Sequence, residues 1–193
     1  MSLRVETLTG GALDAALGDL ARLRIAVFRE WPYLYEGSEA YEARYLRAYR
    51  DRPGAILVVA RDGERIVGAA TGMPLEDHAD ASGIEGLAVP HEEVFYCAES
   101  VLLPAFRGRG AGHAFFDARE AHARALGRTV SLFCAVERPE GHPARPEGYR
   151  PLDAFWRRRG YEPVEGARAT FRWADLGEAE ETPHSLRVWM RRL

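Results

Sequence analysis

The segment Glu99-Ser100-Val101-Leu102-Leu103-Pro104-Ala105-Phe106-Arg107-Gly108-Arg109-Gly110-Ala111-Gly112-His113-Ala114-Phe115-Phe116 places the end of an apolar strand, a glycine-rich turn and the start of a helix in direct succession. Pro104 closes the strand. From Gly110 to Leu126 the apolar positions Phe115, Ala118, Ala121, His122 and Ala125 recur at helical spacing, and Gly127 is the stop. Glycines at 108, 110 and 112 let the backbone turn sharply and approach a ligand closely. The unpaired amides of the helix start, aided by its dipole, form an anion cradle, with Arg107 and Arg109 adding charge at its edge. Two other phosphate sites are excluded. A Walker A loop needs a lysine that the chain lacks, and a dinucleotide fingerprint reads Gly-x-Gly-x-x-Gly after a first strand, whereas this loop is Gly-x-Gly-x-Gly and lies late in the chain. The bland alternative is a strand-to-helix turn that holds no ligand.

Working outward, residues 94–103 read as one strand and 129–136 as another of the buried type. Residues 55–61 and 65–72 are apolar runs joined by Asp62-Gly63-Glu64, a hairpin signal because Asp-Gly tolerates the positive φ of tight turns. Ahead of them lie a strand at 3–8, a turn at Gly10-Gly11, a helix with Leu13, Leu17 and Leu20 on one stripe continued by Ile25 and Phe28, and a further helical face with Tyr41, Tyr45, Leu46 and Tyr49. Residues 75–92 read as a loop, 137–150 as a proline- and arginine-rich loop, 152–159 as a short helix, and 168–173 and 185–191 as the last strands. The expected order is β, helices, ββ, β, α, β, α, ββ, with no repeat and no linker, so a single α/β domain over residues 1–193 is expected.

The 193 residues are 47% hydrophobic and 28% charged, the balance of an ordinary globular protein. A net charge of -3 gives no general basic field, so neither nucleic acid nor an anionic membrane is an expected partner. All 26 basic residues are Arg; Lys, Asn and Gln are absent. No secretory signal opens the chain and the longest aliphatic run is far too short to span a bilayer, so a cytoplasmic location is expected. Cys97 and Cys134 read as small buried hydrophobes, and no His or Cys spacing suits a metal.

The strand, turn and helix resemble the GNAT acyltransferase superfamily, whose signature is Arg/Gln-x-x-Gly-x-Gly/Ala; Arg107, Gly110 and Gly112 fill those positions, and Pro104 stands where the family often has a proline. Phe155-Trp156-Arg157-Arg158-Arg159-Gly160-Tyr161 is similar to the family's aromatic segment after its fifth strand. The resemblance implies a mixed β-sheet, splayed open at its centre and flanked by helices, with acetyl-CoA as co-substrate entering between residues 94–103 and 129–136. It further implies main-chain contacts from Val101, Leu102 and Leu103 to the pantetheine arm, and a pyrophosphate held by the loop Arg107, Gly108, Arg109, Gly110, Ala111, Gly112 and His113. Acyl transfer in the family runs directly from thioester to amine, so a base and an aligned acceptor are needed. One departure stands out: many members carry a proton-donating tyrosine where this chain has Trp156, leaving Tyr149, Tyr161, a water or unassisted departure of the thiolate.

Glu99, a carboxylate inside an apolar strand, is the first candidate base, since burial raises a carboxyl pKa; the alternative is a glutamate ion-paired to an arginine at the sheet surface. Glu137, closing the next strand, is expected to face the same cleft, and Tyr149 is the candidate acid. Arg145 and Arg150, on the rigid loop, are candidate acceptor contacts together with Trp156, and they suggest an acceptor bearing a carboxylate near its amine. The expected function is acetyl transfer from acetyl-CoA to a primary amine of a small molecule; protein N-terminal or side-chain acetylation and a non-catalytic acyl-CoA sensor are the alternatives, and a homodimer is left open.

Overall fold

The computed structural model describes residues 3–193. Nine strands form one sheet: β1 (Arg4–Leu8), β2 (Ile56–Asp62), β3 (Arg65–Pro74), β4 (Ile84–Glu85), β5 (Val94–Tyr96), β6 (Ser100–Leu102), β7 (Val130–Val136), β8 (Glu162–Trp173) and β9 (Thr182–Arg192). Their order is β1-β2-β3-β5-β7-β9-β8-β4, with β6 also on β3. The β5 and β7 pair is parallel, and the other described pairings are antiparallel, giving the expected mixed sheet.

Side chains alternate between faces with the strand period of two. Leu57 and Val59 of β2 join Val101, Leu132 and Val188 in a core covered by α1 (Gly10–Phe28), α2 (Glu39–Tyr45) and α3 (Arg47–Arg50). Ile56, Val58 and Ala60 face the other way, into a core with Phe115, Phe116, Phe133 and Trp189 beneath α4 (Ala111–Ala125) and α5 (Asp153–Arg158). Every residue of β2 from Ile56 to Ala60 is fully buried, which explains its continuous apolar run rather than an alternating one.

The expected strand over 94–103 is two strands. Met73 pairs Tyr96 while Ala70 pairs Ser100, so three steps along β3 oppose four along its partner: one residue too many, a β-bulge at Cys97-Ala98-Glu99. Residues 75–92, expected to be a loop, contain short 3-10 turns and β4, which pairs with β8 far along the chain. The last two strands run longer than expected, over Glu162–Trp173 and Thr182–Arg192. No helix among the described residues is long and apolar enough to cross a membrane.

Candidate active site

The bulge opens the sheet. β5 pairs with β7 as far as Tyr96 and Leu132, and the Cys97 N–H still donates to the Leu132 carbonyl at 2.8 Å. Beyond this point β7 continues to Val136 on β9, while β6 pairs with β3, so a gap separates β6 from the second half of β7. The Thr71 N–H donates to the Glu99 carbonyl and the Leu103 N–H to the Val67 carbonyl, which with the Ala69–Val101 register commits residues 99, 101 and 103 to β3. The main chain of Ser100 and Leu102 therefore turns toward the gap. The amides of Val101 and Leu103, expected to face the pantetheine arm, are thus directed to the β3 ladder, and those of Ser100 and Leu102 face the gap.

Buried Arg119, from α4, stitches the bulge from behind. Its guanidinium donates to the carbonyls of Thr71 at 3.2 Å and Glu99 at 3.0 Å, and its Nε donates to Phe115. The Glu99 carbonyl thus accepts both the Thr71 N–H and Arg119, using both of its lone pairs.

After β6 the chain makes a 3-10 turn over Pro104–Phe106 and enters the glycine loop. Gly108 and Gly110 have φ of 76° and 85°, the left-handed region that glycine occupies without steric cost, and a Cβ at either would meet nothing within 4 Å. Gly110 is the N-cap of α4 and no side chain caps it. The open backbone and uncapped helix start fit a pyrophosphate, which would be held by amides from the Gly108 to Gly112 stretch. The amide of His113 is excepted, because it donates to the Gly110 carbonyl at 3.0 Å. Both flanking arginines are exposed and brace the loop: Arg107 donates from Nε to the Leu102 carbonyl at 3.0 Å and pairs with Glu30, and Arg109 donates to the Ala105 carbonyl at 3.0 Å.

On the α1 and α2 face, at the bulge, lies a cavity of about 240 Å3. Arg24, Tyr45, Tyr96, Glu99 and Cys134 line it, with Tyr41 and Trp173 among its further aromatic walls. Glu99 is 5% exposed. One of its oxygens, Oε2, pairs with Arg24 at 3.0 Å and accepts from the Tyr45 hydroxyl at 3.4 Å, while Oε1 is buried without a hydrogen-bond partner. Arg24 is shared with the fully buried Glu42 of α2, which also accepts from the Tyr35 hydroxyl at 2.9 Å. Burial drives the Glu99 carboxyl above the ordinary carboxylate range against the pull of Arg24, and nearby Glu42 reinforces the rise. Beside Tyr45, His78 lies 3.3 Å from its hydroxyl and 3.2 Å from that of Tyr49; burial first, then Arg24, lowers its pKa to about 4, so its ring is neutral near pH 7. The glutamate does hold an arginine, but inside the protein rather than at the sheet surface.

Glu137 does not face this cavity. Its carboxylate lies between Arg168 at 2.9 Å and Arg187 at 2.7 Å, on β8 and β9. Tyr149 and His142 pack their rings on Trp31, and burial raises the Tyr149 hydroxyl pKa. Arg145 and Arg150 are exposed and outside the cavity lining, the former over the Tyr149 ring. Trp156 is also outside it, packed at a tilt in the α5-side core against Phe133 and Trp189 at 5.0 and 5.1 Å. Tyr161 is fully buried on that same side, bonded to Ser131 and Glu120. Both cysteines are buried, and burial raises the Cys97 thiol pKa. No group of three His, Cys, Asp or Glu placed to hold a metal occurs among the described residues.

Arg24, Glu42, Tyr45 and His78 were not singled out by sequence reasoning. A signal for the first was available, since Arg24 falls between Leu20 and Phe28 at four-residue intervals on the buried stripe of α1, where a charge requires a partner.

No curated protein matches the chain in sequence. Its fold matches the Salmonella typhimurium protein yncA with its cofactor acetyl-CoA, at 11% identity over 100% of this chain and 95% of that one, with a TM-score of 0.64. It also matches ribosomal-protein-alanine N-acetyltransferase from Brucella melitensis (16% identity, 99% and 100% covered, TM-score 0.63). A third is the paia N-acetyltransferase from Thermoplasma acidophilum in complex with coenzyme A (10% identity, 100% of both chains, TM-score 0.56). The model of the acetyltransferase (GNAT) family matches residues 21–161, a span that takes in the bulge, the glycine loop and the aromatic segment ending at Tyr161. The chain belongs to the acetyltransferase (GNAT) family.

Proposed function

We propose that the chain transfers an acetyl group from acetyl-CoA directly to the primary amine of a small molecule, with Glu99 as general base. The observation that carries this reading is the Glu99 carboxylate, buried at the bulge on the cavity wall with Oε1 unpartnered. Family membership and the CoA and acetyl-CoA complexes of similar folds support the donor. In the transfer the amine nitrogen forms the amide bond as the thioester C–S bond breaks; Glu99 takes the proton shed by nitrogen, and sulfur leaves as thiolate to become the CoA thiol. A carboxyl of raised pKa is a stronger base than an ordinary carboxylate once ionised, which suits that role.

Glu99→Gln should lower kcat by about 100-fold while acetyl-CoA affinity is retained, and the acidic limb of the pH profile should vanish. Unchanged turnover in Glu99→Gln, with loss in Glu137→Gln, would move the base to Glu137. In the same assay Tyr149→Phe measures any proton given to sulfur by that hydroxyl. A non-catalytic acyl-CoA-binding module would bind acetyl-CoA yet release no CoA with pooled amines.

A further inference from the structure

The geometry points to an acceptor that is a small monoamine on a flat, aromatic body without a carboxylate, seated in the cavity beside Glu99; this rests on the reading of the chain as an amine acetyltransferase. Three features of the cavity carry it. First, its volume of about 240 Å3 is small. That is the share of roughly eight waters in the liquid, room for one ring with a short arm rather than several residues of a polypeptide.

Second, eight of its eighteen lining residues are Phe, Tyr or Trp, including Tyr33, Tyr41, Phe171 and Trp173. Aromatic walls favour flat apolar bodies through edge and offset contacts, and favour a single ammonium over a ring face.

Third, the cation in the depth of the site is already committed. Arg24 is shared between Glu42 and Glu99, so an acceptor carboxylate finds that cation committed and would lie against the Glu99 carboxylate. The further lining arginine, Arg172, is exposed and donates to the Glu181 carbonyl at 2.7 Å. Arg145 and Arg150, the residues that suggested an acidic acceptor, lie outside the lining. A polyamine fares no better: among the described lining residues Glu99 is the one carboxylate, so it meets the first ammonium and the second faces aromatic rings or Arg172.

The test is CoA release with acetyl-CoA and four acceptors: phenethylamine, phenylalanine, spermidine and an alanyl tripeptide. Phenethylamine should exceed each of the others in kcat/KM by about tenfold or more. Ala79→Trp, at an exposed lining position, should raise the KM for phenethylamine by about tenfold with the KM for acetyl-CoA nearly unchanged, because the indole occupies acceptor space. Preference for phenylalanine, spermidine or the peptide, or wild-type kinetics in Ala79→Trp, overturns the acceptor class and leaves acetyl transfer standing. Absence of CoA release with every amine, in protein whose melting point acetyl-CoA raises, overturns the amine acetyltransferase reading and this inference with it.

Discussion

At the residue scale the unusual feature is the concentration of ionisable groups in the α1-side core: Arg24, Glu42, Glu99 and His78 are each less than a tenth exposed. A buried ion pair returns little net stability, since desolvation offsets the attraction, so Arg24 is better understood as the group that makes two buried carboxylates tolerable. The groups respond to pH with opposite sign. His78 titrates near 6.5 when unfolded and at about 4 when folded, so between those values the unfolded chain binds the extra proton. Stability from this site is complete above pH 6.5 and is lost as pH falls toward 4, at up to about 1.4 kcal/mol per pH unit. His78→Gln, which keeps an acceptor for the Tyr45 and Tyr49 hydroxyls, should flatten the dependence of unfolding free energy on pH in that window; an unchanged slope refutes a neutral buried ring. Glu99, raised instead of lowered, gains relative stability as pH falls through its folded pKa and opposes folding above it. Glu99→Gln should accordingly melt no lower than wild type at pH 7.5, which makes its loss of activity a chemical effect rather than a folding defect.

At the element scale α4 joins the two halves of the site, its first turn at the proposed pyrophosphate cradle and Arg119 at the bulge. Gly112 is its second residue, has ordinary helical φ, and a Cβ there would meet the Phe155 ring at an easy 3.5 Å. Gly112→Asp should therefore fold. Its carboxylate, next to the positive end of the helix dipole, should hold or raise apo stability by about 0.3 to 1 kcal/mol. The same charge repels phosphate, so the stabilisation of roughly 2.7 kcal/mol expected from CoA at 100 times its dissociation constant should disappear. Thermal melts with and without CoA test both halves, and a retained shift removes the pyrophosphate from this loop. Much of this element was legible in sequence because its determinants are local: Gly110, the spacing of Phe115 and Ala118, and Gly127 bounded a helix over 110–126, and it spans Ala111–Ala125. The bulge was not legible, since Cys97 and Ala98 are as apolar as the strands they separate and the extra residue shows only against the register of β3. Nor was β4, whose partner β8 lies more than 80 residues on. The cavity beside the bulge was hidden for a similar reason: Arg24, Glu42, His78 and Glu99 come from four separate segments, and no local spacing relates them.

At the scale of the whole molecule, the sheet separates two packed layers, and the bulge is where they meet chemically. Toward α1 the bulge presents the Glu99 side chain to the cavity, and toward α4 it presents the Glu99 carbonyl to Arg119. The same residue is thus the proposed base on one face and a structural acceptor on the other, and the opening between β6 and β7 depends on both faces being satisfied. Arg119 suits the task because its planar guanidinium holds several carbonyls in fixed directions, here those of Thr71, Glu99 and Phe115, and it stacks on Phe116 at 4.8 Å. Arg119→Met keeps the apolar stem and removes every donor. The Glu99 carbonyl keeps the Thr71 N–H and the Phe115 carbonyl its place in the helix, so the Thr71 carbonyl bears the loss; a buried carbonyl left without a partner costs about 1 to 3 kcal/mol, and the variant should lose about that much in denaturant unfolding. Arg119→Lys offers one ammonium for three carbonyls that lie in different directions, and should recover only part of that loss. Where either variant still folds, a loosened bulge should raise the KM for acetyl-CoA and speed amide exchange at Thr71, whose N–H donates to the Glu99 carbonyl, more than at Val58 in the middle of β2. Wild-type unfolding midpoints and equal protection at the two amides would mean that the backbone alone holds the sheet open.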